Sequence, residues 1–574
     1  MFEKRIVRRP QPDQPIPNVE LHPVLARIYR ARNVVDGSEL DSSLDRLLSP
    51  QGLEGMDAAL ALLVESLQTR KRILIVADFD ADGATSCALM MRALRSMGFG
   101  DVHYLVPNRF TYGYGLTPEI VALAAQQRPD LLITVDNGIS SIDGVRAARA
   151  AGMAVLITDH HLPGSALPPA NAIVNPNQPN DTFASKTLAG VGVAFYVMLG
   201  LRARLRELDW FREQSLPEPK LANLLDLVAL GTVADVVPLD HNNRILVAQG
   251  LARINAGHCC AGIRALLEVA GRDCARATAT DLGFIAGPRL NAAGRLSDMS
   301  VGIECLLQDG DARAKELARA LDALNRERRE VEADMQTQAL AAVGQLRLAD
   351  AEMPRGLCLF DESWHQGVIG LVAARIKERV HRPVIAFAPA SDTELKGSAR
   401  SIPGLHVRDV LDAVAARHPQ LLQRFGGHAM AAGLTLRRVH LEEFRVAFDA
   451  EVARHVSDDD LQGKVWTDGE LTAQEFSLDL AEQLRSGGPW GQGFPEPVFD
   501  GRFDIVSQRV VGARHLKLGL RHADVSLDAI AFNAAPTGQP LSAKQLQAAY
   551  RLDVNEYRGN RSLQLIIEHL VAIT

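Results

Sequence analysis

Four short segments gather acids and histidines in a pattern that suits cation-assisted phosphate chemistry. They are Asp78-Phe79-Asp80-Ala81-Asp82-Gly83, Asp136-Asn137-Gly138, Asp159-His160-His161 and Gly231-Thr232-Val233-Ala234-Asp235. In the first, alternate residues of an extended chain point the same way, so three carboxylates can converge on one side. Gly83 then lets the backbone turn into a following helix. So many carboxylates cannot stay ionised together in a crevice without cations. Oxygen ligands with one or two imidazoles suit Mn²⁺ or Mg²⁺, whereas zinc sites favour His and Cys. Two such ions about 4 Å apart would clamp the attacking and leaving oxygens of a phosphoryl displacement. Any one of these aspartates could instead cap a helix or end a strand in a turn. Four strand-end clusters together favour a shared site.

The elements that must position them are legible as alternating patterns. Ile73-Leu74-Ile75-Val76, Val102–Val106, Leu131–Val135 and Val155-Leu156-Ile157 are continuous apolar runs, with helices predicted near 84–97, 117–127 and 141–151. Such alternation implies parallel β-α-β units with both sheet faces covered. In open parallel sheets the ligand crevice lies beyond the carboxyl ends of the strands, where three of the acid loops fall. Asp235 follows the apolar stretch Leu224–Leu230. Residues 311–346 read as one long linker helix, with Leu317, Leu321, Leu324, Val331 and Met335 at helical spacings. Its interleaved arginines and glutamates from Arg326 to Glu332 suggest an exposed, salt-bridged surface. A second α/β unit follows, with strands at Leu357–Phe360 and Val384–Phe387. After about Leu461 helices thin out, and Arg509–Leu520 and Ala523–Phe532 read as strands of a small β-barrel. The expected fold class is therefore α/β: two α/β domains joined by a long helix, plus a C-terminal barrel. The expected segments are an arm at 1–49 (with a helix near Pro23–Arg32), a catalytic domain at 50–310, the linker at 311–346, a second domain at 347–455 and the barrel domain at 456–574.

Bulk properties bound the function. A chain of 574 residues exceeds one hydrophobic core. It is 47% apolar and 23% charged, as soluble globular proteins are. No apolar run is long enough to span a membrane, and the charged start Met1-Phe2-Glu3-Lys4-Arg5 lacks the apolar core of a signal peptide. Six scattered cysteines form no Cys-x-x-Cys pair, so a reduced, cytoplasmic protein is expected. The net charge of −7 argues against a surface coated for duplex DNA. From Gly501 to Thr574, however, nine Lys and Arg stand against six Asp and Glu, a net +3. That excess suits a local nucleic-acid surface, or is a chance fluctuation.

The four acid segments resemble, in order, the four motifs of the DHH phosphoesterase superfamily. The resemblance implies that Asp80, Asp82, Asp136, His160 and Asp235 ligate two ions of Mn²⁺ or Mg²⁺, with Asp136 as bridge and Asp78 as a further ligand that varies between branches. His161 would position the scissile phosphate, and Asp159 would orient a histidine. Gly426-Gly427-His428-Ala429-Met430-Ala431-Ala432-Gly433 looks like the glycine-histidine signature of the DHH-associated substrate domain, where His428 can donate to a phosphate. Read without the resemblance, it is a tight turn into an Ala-rich helix. Ser398 and Arg400 lie in the same domain, and Arg400 could fork onto phosphate oxygens or be a surface arginine.

Three segments resemble the RecJ family within that superfamily: Gly287–Leu296 (with Arg289 and Arg295 as expected substrate contacts), Trp364–Gly370 and Trp490–Pro497. The resemblance runs from about residue 50 to the C-terminus. It implies an OB-fold barrel that binds single strands by stacking and basic grooves. It also implies hydrolysis of single-stranded DNA, 5′→3′, to 5′-mononucleotides in DNA repair and recombination. A single-strand-binding protein and a helicase would be partners of a monomer. Arg109, Tyr112 and Tyr114 follow another strand end and could hold a phosphate and stack a base, or pack a Gly-rich turn.

Other chemistries lack their residues. There is no Walker A sequence, Gly190-x-Gly192 lacks the third glycine of a dinucleotide fingerprint and reads as helix packing, and no Gly-x-Ser-x-Gly elbow occurs. Three rivals share the first-half chemistry. Phosphodiesterases of short oligonucleotides or cyclic dinucleotides usually lack the barrel. Non-catalytic DNA-binding scaffolds, such as the DHH-related subunit of the eukaryotic replicative helicase, lose the metal-binding acids. Inorganic pyrophosphatases lack both long helix and barrel.

Overall fold

The computed structural model describes all residues except 1–3, 13, 113–114, 349–352, 513, 536–537, 558–559 and 574. It separates into two compact units. One comprises Gln11–Asn325 with Gln483–Glu496; the other comprises Met1–Pro10, Arg326–Glu482 and Pro497–Thr574.

The first unit is built on a five-stranded parallel sheet in the order Val102–Leu105, Ile73–Ala77, Leu131–Val135, Ala154–Thr158, Ala172–Val174. Every residue of the strands Ile73–Ala77 and Leu131–Val135 is buried, which requires helices on both faces. Leu74 and Val76 pack with Ile120, Val121 and Val145 of the helices Pro118–Ala125 and Ile142–Ala150. Ile73 and Ile75 face the other way. The helices Ala81–Ser96 and Gly190–Glu207 pack on each other and on the sheet.

Two segments join this unit from outside the expected 50–310. The helix Pro23–Arg30 brings Tyr29, which stacks on Trp490 at 6.0 Å and on Phe494 at 6.1 Å between ring centroids. Arg32 lies 5.3 Å over the Trp490 ring and donates to the Pro495 carbonyl at 2.7 Å. The segment Trp490–Glu496 is thus a clasp on the N-terminal helix, not part of the barrel. Local composition could not show this, because the partners are more than 450 residues apart in the chain.

The second unit holds a mixed five-stranded sheet in the order Arg424–Gly427, Ala431–Arg437, Glu394–Arg400, Val384–Pro389, Leu357–Phe360. It also holds a closed barrel of Phe499–Val511, His515–His522, Val525–Ala531, Asn560–Ile573 and Gln545–Tyr557. Two expectations are corrected. Arg509–Leu520 is not one strand: a turn with Gly512 at φ 56° splits it into a hairpin, and that glycine was the local signal. Gly426–Gly433, for which a turn into a helix was the alternative, is a β-hairpin that pairs Gly426 with Gly433. The Asp311–Leu348 helix is not simply exposed. Met335 and Ala339 are buried, and Arg328 and Glu332 are each only 8% exposed. Their 2.6 Å pairing, with Arg375 adding a 3.0 Å contact to Glu332, is what makes burial of these charges tolerable.

Candidate metal centre

Each acid is aimed by a distinct piece of local structure. Asp80 caps the helix Ala81–Ser96, accepting from the Gly83 amide at 3.0 Å. Capping and membership of the cluster are therefore not exclusive readings. Asp82, in the first turn, is buried; its carboxylate accepts from the amides of Gly190 at 2.6 Å and Val191 at 2.9 Å. Those donors open the helix Gly190–Glu207, whose positive end favours the charge. Asp136 has φ 61°, a left-handed conformation costly for a residue with a Cβ. Asn137 fixes that turn by donating to the carbonyls of Val76 at 3.2 Å and Val135 at 2.9 Å. Asp159 accepts from the amides of Ile139, His160 and His161 and from Nδ1 of His161 at 2.7 Å. Asp235 ends the helix Leu225–Ala234, so the fourth acid stands at a helix end rather than the expected strand end. A short apolar run alone cannot separate the two.

These side chains converge. Nε2 of His160 lies 3.1 Å from Asp136, 3.5 Å from Asp235 and 4.0 Å from Asp82. Potential ligand atoms lie within 4.8 Å of one another in three groups: Asp82, His160 and Asp235; Asp78, Asp80 and Asp136; and Asp136, His160 and His161. Asp136 stands in two of them, so it joins a carboxylate-rich side to a histidine side. That oxygen-rich donor set fits a pair of hard divalent cations.

The electrostatics agree. Burial, then the Asp80 charge, pushes the Asp82 carboxyl up to about 7. Burial and the neighbouring carboxylates push Asp136 and Asp235 well above the usual range. Positive charge placed among these groups reverses that penalty. Burial by itself disfavours a charged His161, but the hydrogen bond and charge of Asp159 outweigh it and raise the imidazole to about 9.

Two supporting residues escaped the sequence reading. Gly190, read as helix packing, approaches the acids so closely that a Cβ there would stand 2.7 Å from the Asp136 Cβ. A glycine at a helix start without a capping side chain was the available signal. Asn291, in the helix Gly287–Leu296, accepts from the Ala81 amide at 2.8 Å and so ties that helix to the first acid loop. Replacing Gly190 by Ala should displace Asp136 and lower kcat by about 10- to 100-fold, the usual cost of disturbing what orients a metal ligand. Steady-state kinetics with a Mn²⁺ titration checks this; unchanged kcat and Mn²⁺ affinity would contradict it.

The expected substrate contacts fall in several places. In the second unit Ser398 pairs with Gly433 and Arg400 with Ala431 across the sheet. Arg400 donates to the Ser398 hydroxyl at 3.0 Å, and burial lowers its pKa. A Cβ at Gly370 would lie 2.7 Å from the Arg400 guanidinium, so the Trp364–Gly370 segment borders the same residues. His428 is exposed at the hairpin turn, where its amide donates to the Ala431 carbonyl at 2.8 Å. Arg289, in the first unit, is buried and bound at 2.8 Å to Asp322. Its guanidinium thus serves an internal ion pair. Arg295 is half-buried on the same helix. Tyr112 packs partly buried against the sheet core. The Arg109 side chain and Tyr114 lie outside the described residues.

Comparison with known proteins places this geometry. Residues 72–232 match the DHH family N-terminal domain, 353–454 the DHHA1 domain and 467–569 the RecJ OB domain. The single-stranded-DNA-specific exonuclease RecJ of Dickeya dadantii is 56% identical over 98% of both chains. That of Escherichia coli is 52% identical over 96% of both. The crystal structure of Thermus thermophilus RecJ in complex with Mn²⁺ matches 96% of this chain and 76% of its own, at 32% identity and a TM-score of 0.79. The chain belongs to the RecJ family.

Proposed function

We propose that this chain is a metal-dependent exonuclease that hydrolyses phosphodiester bonds of single-stranded DNA from the 5′ end, releasing 5′-mononucleotides. The observation that carries the reading is the convergence of Asp78, Asp80, Asp82, Asp136, His160, His161 and Asp235 on one cluster. Relatives of more than 50% identity bear the exonuclease name, and a related structure holds Mn²⁺. When bound, a pair of Mn²⁺ or Mg²⁺ ions supplies Lewis acidity at the phosphate and at its nucleophile.

The residues divide the remaining work. Asp80, Asp82, Asp136, His160 and Asp235, with Asp78, hold the cations, and Asp136 serves both. His161, steadied by its hydrogen bond to Asp159, holds a non-bridging phosphate oxygen as charge develops there. Ser398, Arg400 and His428 contact the phosphate backbone, with Arg109 and Arg295 as further contacts. The OB barrel binds the single strand beyond the reacting bond. The reading includes a monomer in the cytoplasm, acting in DNA repair and recombination with a single-strand-binding protein and a helicase. No helix among the described residues is long and apolar enough to cross a membrane.

The test is degradation of single-stranded DNA labelled at either end, with Mn²⁺, Mg²⁺ or EDTA. Early release of a mononucleotide from the 5′ label, abolished by EDTA, is expected. Release from the 3′ label first, or cleavage in EDTA, contradicts the reading. Replacing Arg400 by Ala should raise KM for a long strand about tenfold or more, as loss of one charge-assisted phosphate contact does. Mn²⁺ stoichiometry should stay unchanged; loss of metal would show that Arg400 acts elsewhere.

A further inference from the structure

The segment between the strand Ala172–Val174 and the helix Gly190–Glu207 supplies none of the clustered acids or histidines, yet it holds the loops that do. It begins Asn175-Pro176-Asn177-Gln178, and two of these side chains reach the histidine loop. Nδ2 of Asn177 donates to the His160 carbonyl at 2.7 Å, and Nδ2 of Asn175 donates to the His161 carbonyl at 2.9 Å. The amides of the same two histidines donate to the Asp159 carboxylate at 2.7 and 3.1 Å. The backbone that carries His160 and His161 is therefore held by side chains at both its N–H and its C=O groups.

The asparagines are themselves fixed. Asn175 is fully buried, and its Oδ1 accepts from the Asn177 amide at 2.7 Å. Nδ2 of Asn177 also donates to the Lys186 carbonyl at 3.2 Å. Lys186 closes the segment on itself: its ammonium donates to the carbonyls of Pro176 and Asp181, both at 2.8 Å, and to the Asp181 carboxylate at 2.6 Å. Beside it, the hydroxyls of Ser185 and Thr187 donate to the Asp240 carboxylate at 2.6 and 3.0 Å, a little beyond Asp235. Where the segment enters its helix, the Gly190 and Val191 amides hold Asp82.

Resting on the reading of the acid cluster as a centre for two cations, we propose that Asn177, backed by Asn175, is a positioning residue that sets His160 and thereby the metal preference of one half of the centre. Its side-chain donors end on backbone carbonyls, so it acts through the histidine and adds no charge to the cluster. His160 belongs to the groups with Asp82 and Asp235 and with Asp136 and His161; the group of Asp78, Asp80 and Asp136 holds no imidazole. A displaced His160 is therefore felt on one side of the centre and not on the other. Mg²⁺ is the harder ion and keeps to oxygen ligands in near-ideal octahedral geometry, so a well-placed imidazole favours Mn²⁺ over it. The carboxylate-only side has no such means of discrimination.

The experiment titrates the metal-stripped full chain with Mn²⁺ by calorimetry, alone and against rising Mg²⁺. Asn177→Ala should weaken one Mn²⁺ site about tenfold or more, the usual cost of removing a group that orients a metal ligand, and leave the other unchanged. At the weakened site Mg²⁺ should compete better than it does in the wild-type chain. Gln178 is the control, because it braces the same segment without touching the histidines: its Nε2 donates to the carbonyls of Glu54 at 2.9 Å and Ile173 at 3.1 Å. Gln178→Ala should lower the melting temperature and leave both Mn²⁺ affinities, and the competition with Mg²⁺, as in the wild type. Should Asn177→Ala not fold, Asn177→Asp keeps the size of the side chain, cannot donate to the two carbonyls, and is read in the same way. Unchanged Mn²⁺ binding in a folded Asn177 variant overturns the inference. Equal weakening of both sites, or the same loss in Gln178→Ala, overturns it in favour of general support by the segment. If the wild-type chain binds no Mn²⁺, the reading of the cluster as a metal centre itself fails, and the inference with it.

Discussion

Replacing Asp136 by Asn is expected to lower turnover of single-stranded DNA by about 10³-fold or more, since an interaction at the charge-stabilising centre is lost. The same change is expected to raise the melting temperature of the metal-free protein at pH 8. Both effects come from one feature. Burial and the charges of Asp82, Asp80 and Asp235 push the Asp136 carboxyl well above its ordinary range. Asparagine keeps the shape of the side chain and removes a charge that the metal-free fold disfavours. A carboxylate kept for structure would behave the other way, because its loss would lower stability. Kinetics and thermal unfolding of the metal-stripped protein read the two effects separately. Near-normal turnover would remove Asp136 from the centre, and a lowered melting temperature would make its role structural.

Metal-free protein should lose stability as pH rises, and Mn²⁺ should restore it chiefly at the upper end. The sign follows from Asp82, whose carboxyl moves from 3.8 in an unconstrained chain to about 7 in the fold. Between those values the native state holds a proton that the unfolded chain has released. Stability contributed by the protonated group is therefore fully present below about pH 4 and is lost as pH rises through about 7. Asp136 and Asp235 shift in the same direction and extend the window upward. Divalent cations bind the ionised carboxylates, so their stabilising effect grows over the same interval. Thermal unfolding at pH 5 and pH 8, with and without Mn²⁺, should show a larger rise in melting temperature at pH 8, by roughly 5 °C or more. An equal shift at both pH values would contradict a centre built from mutually repelling acids.

The parts of this site that were legible in the sequence are those set by local rules. Continuous apolar runs such as Ile73–Val76 and Leu131–Val135 announce buried parallel strands, and the acids that follow them fall where ligands bind such sheets. The supporting contacts were not legible, because they join residues far apart. Gly190 approaches Asp136 from the start of a helix further along the chain, and Asn291 reaches the Ala81 amide over 210 residues of chain. The same limit explains the clasp. Trp490 and Phe494 look like barrel-domain residues until Tyr29 is seen stacked on them. Asp235 shows a different limit: Leu224–Leu230 is apolar enough for strand or helix, and only the fold makes it helical. In the second unit the glycines of Gly426–Gly433 marked a special backbone, but not its form, because the cross-strand pairing with Ser398 and Arg400 that makes it a hairpin is non-local.

The central claim is that four loops on one unit form a single centre for two cations, shared through Asp136. Calorimetric titration of the metal-stripped protein with Mn²⁺ tests it most directly. Two ions per chain are expected at pH 8, with at least one site lost or greatly weakened in Asp136→Asn. No Mn²⁺ binding by the wild-type chain, or two sites that survive Asp136→Asn with unchanged affinity, would contradict the account.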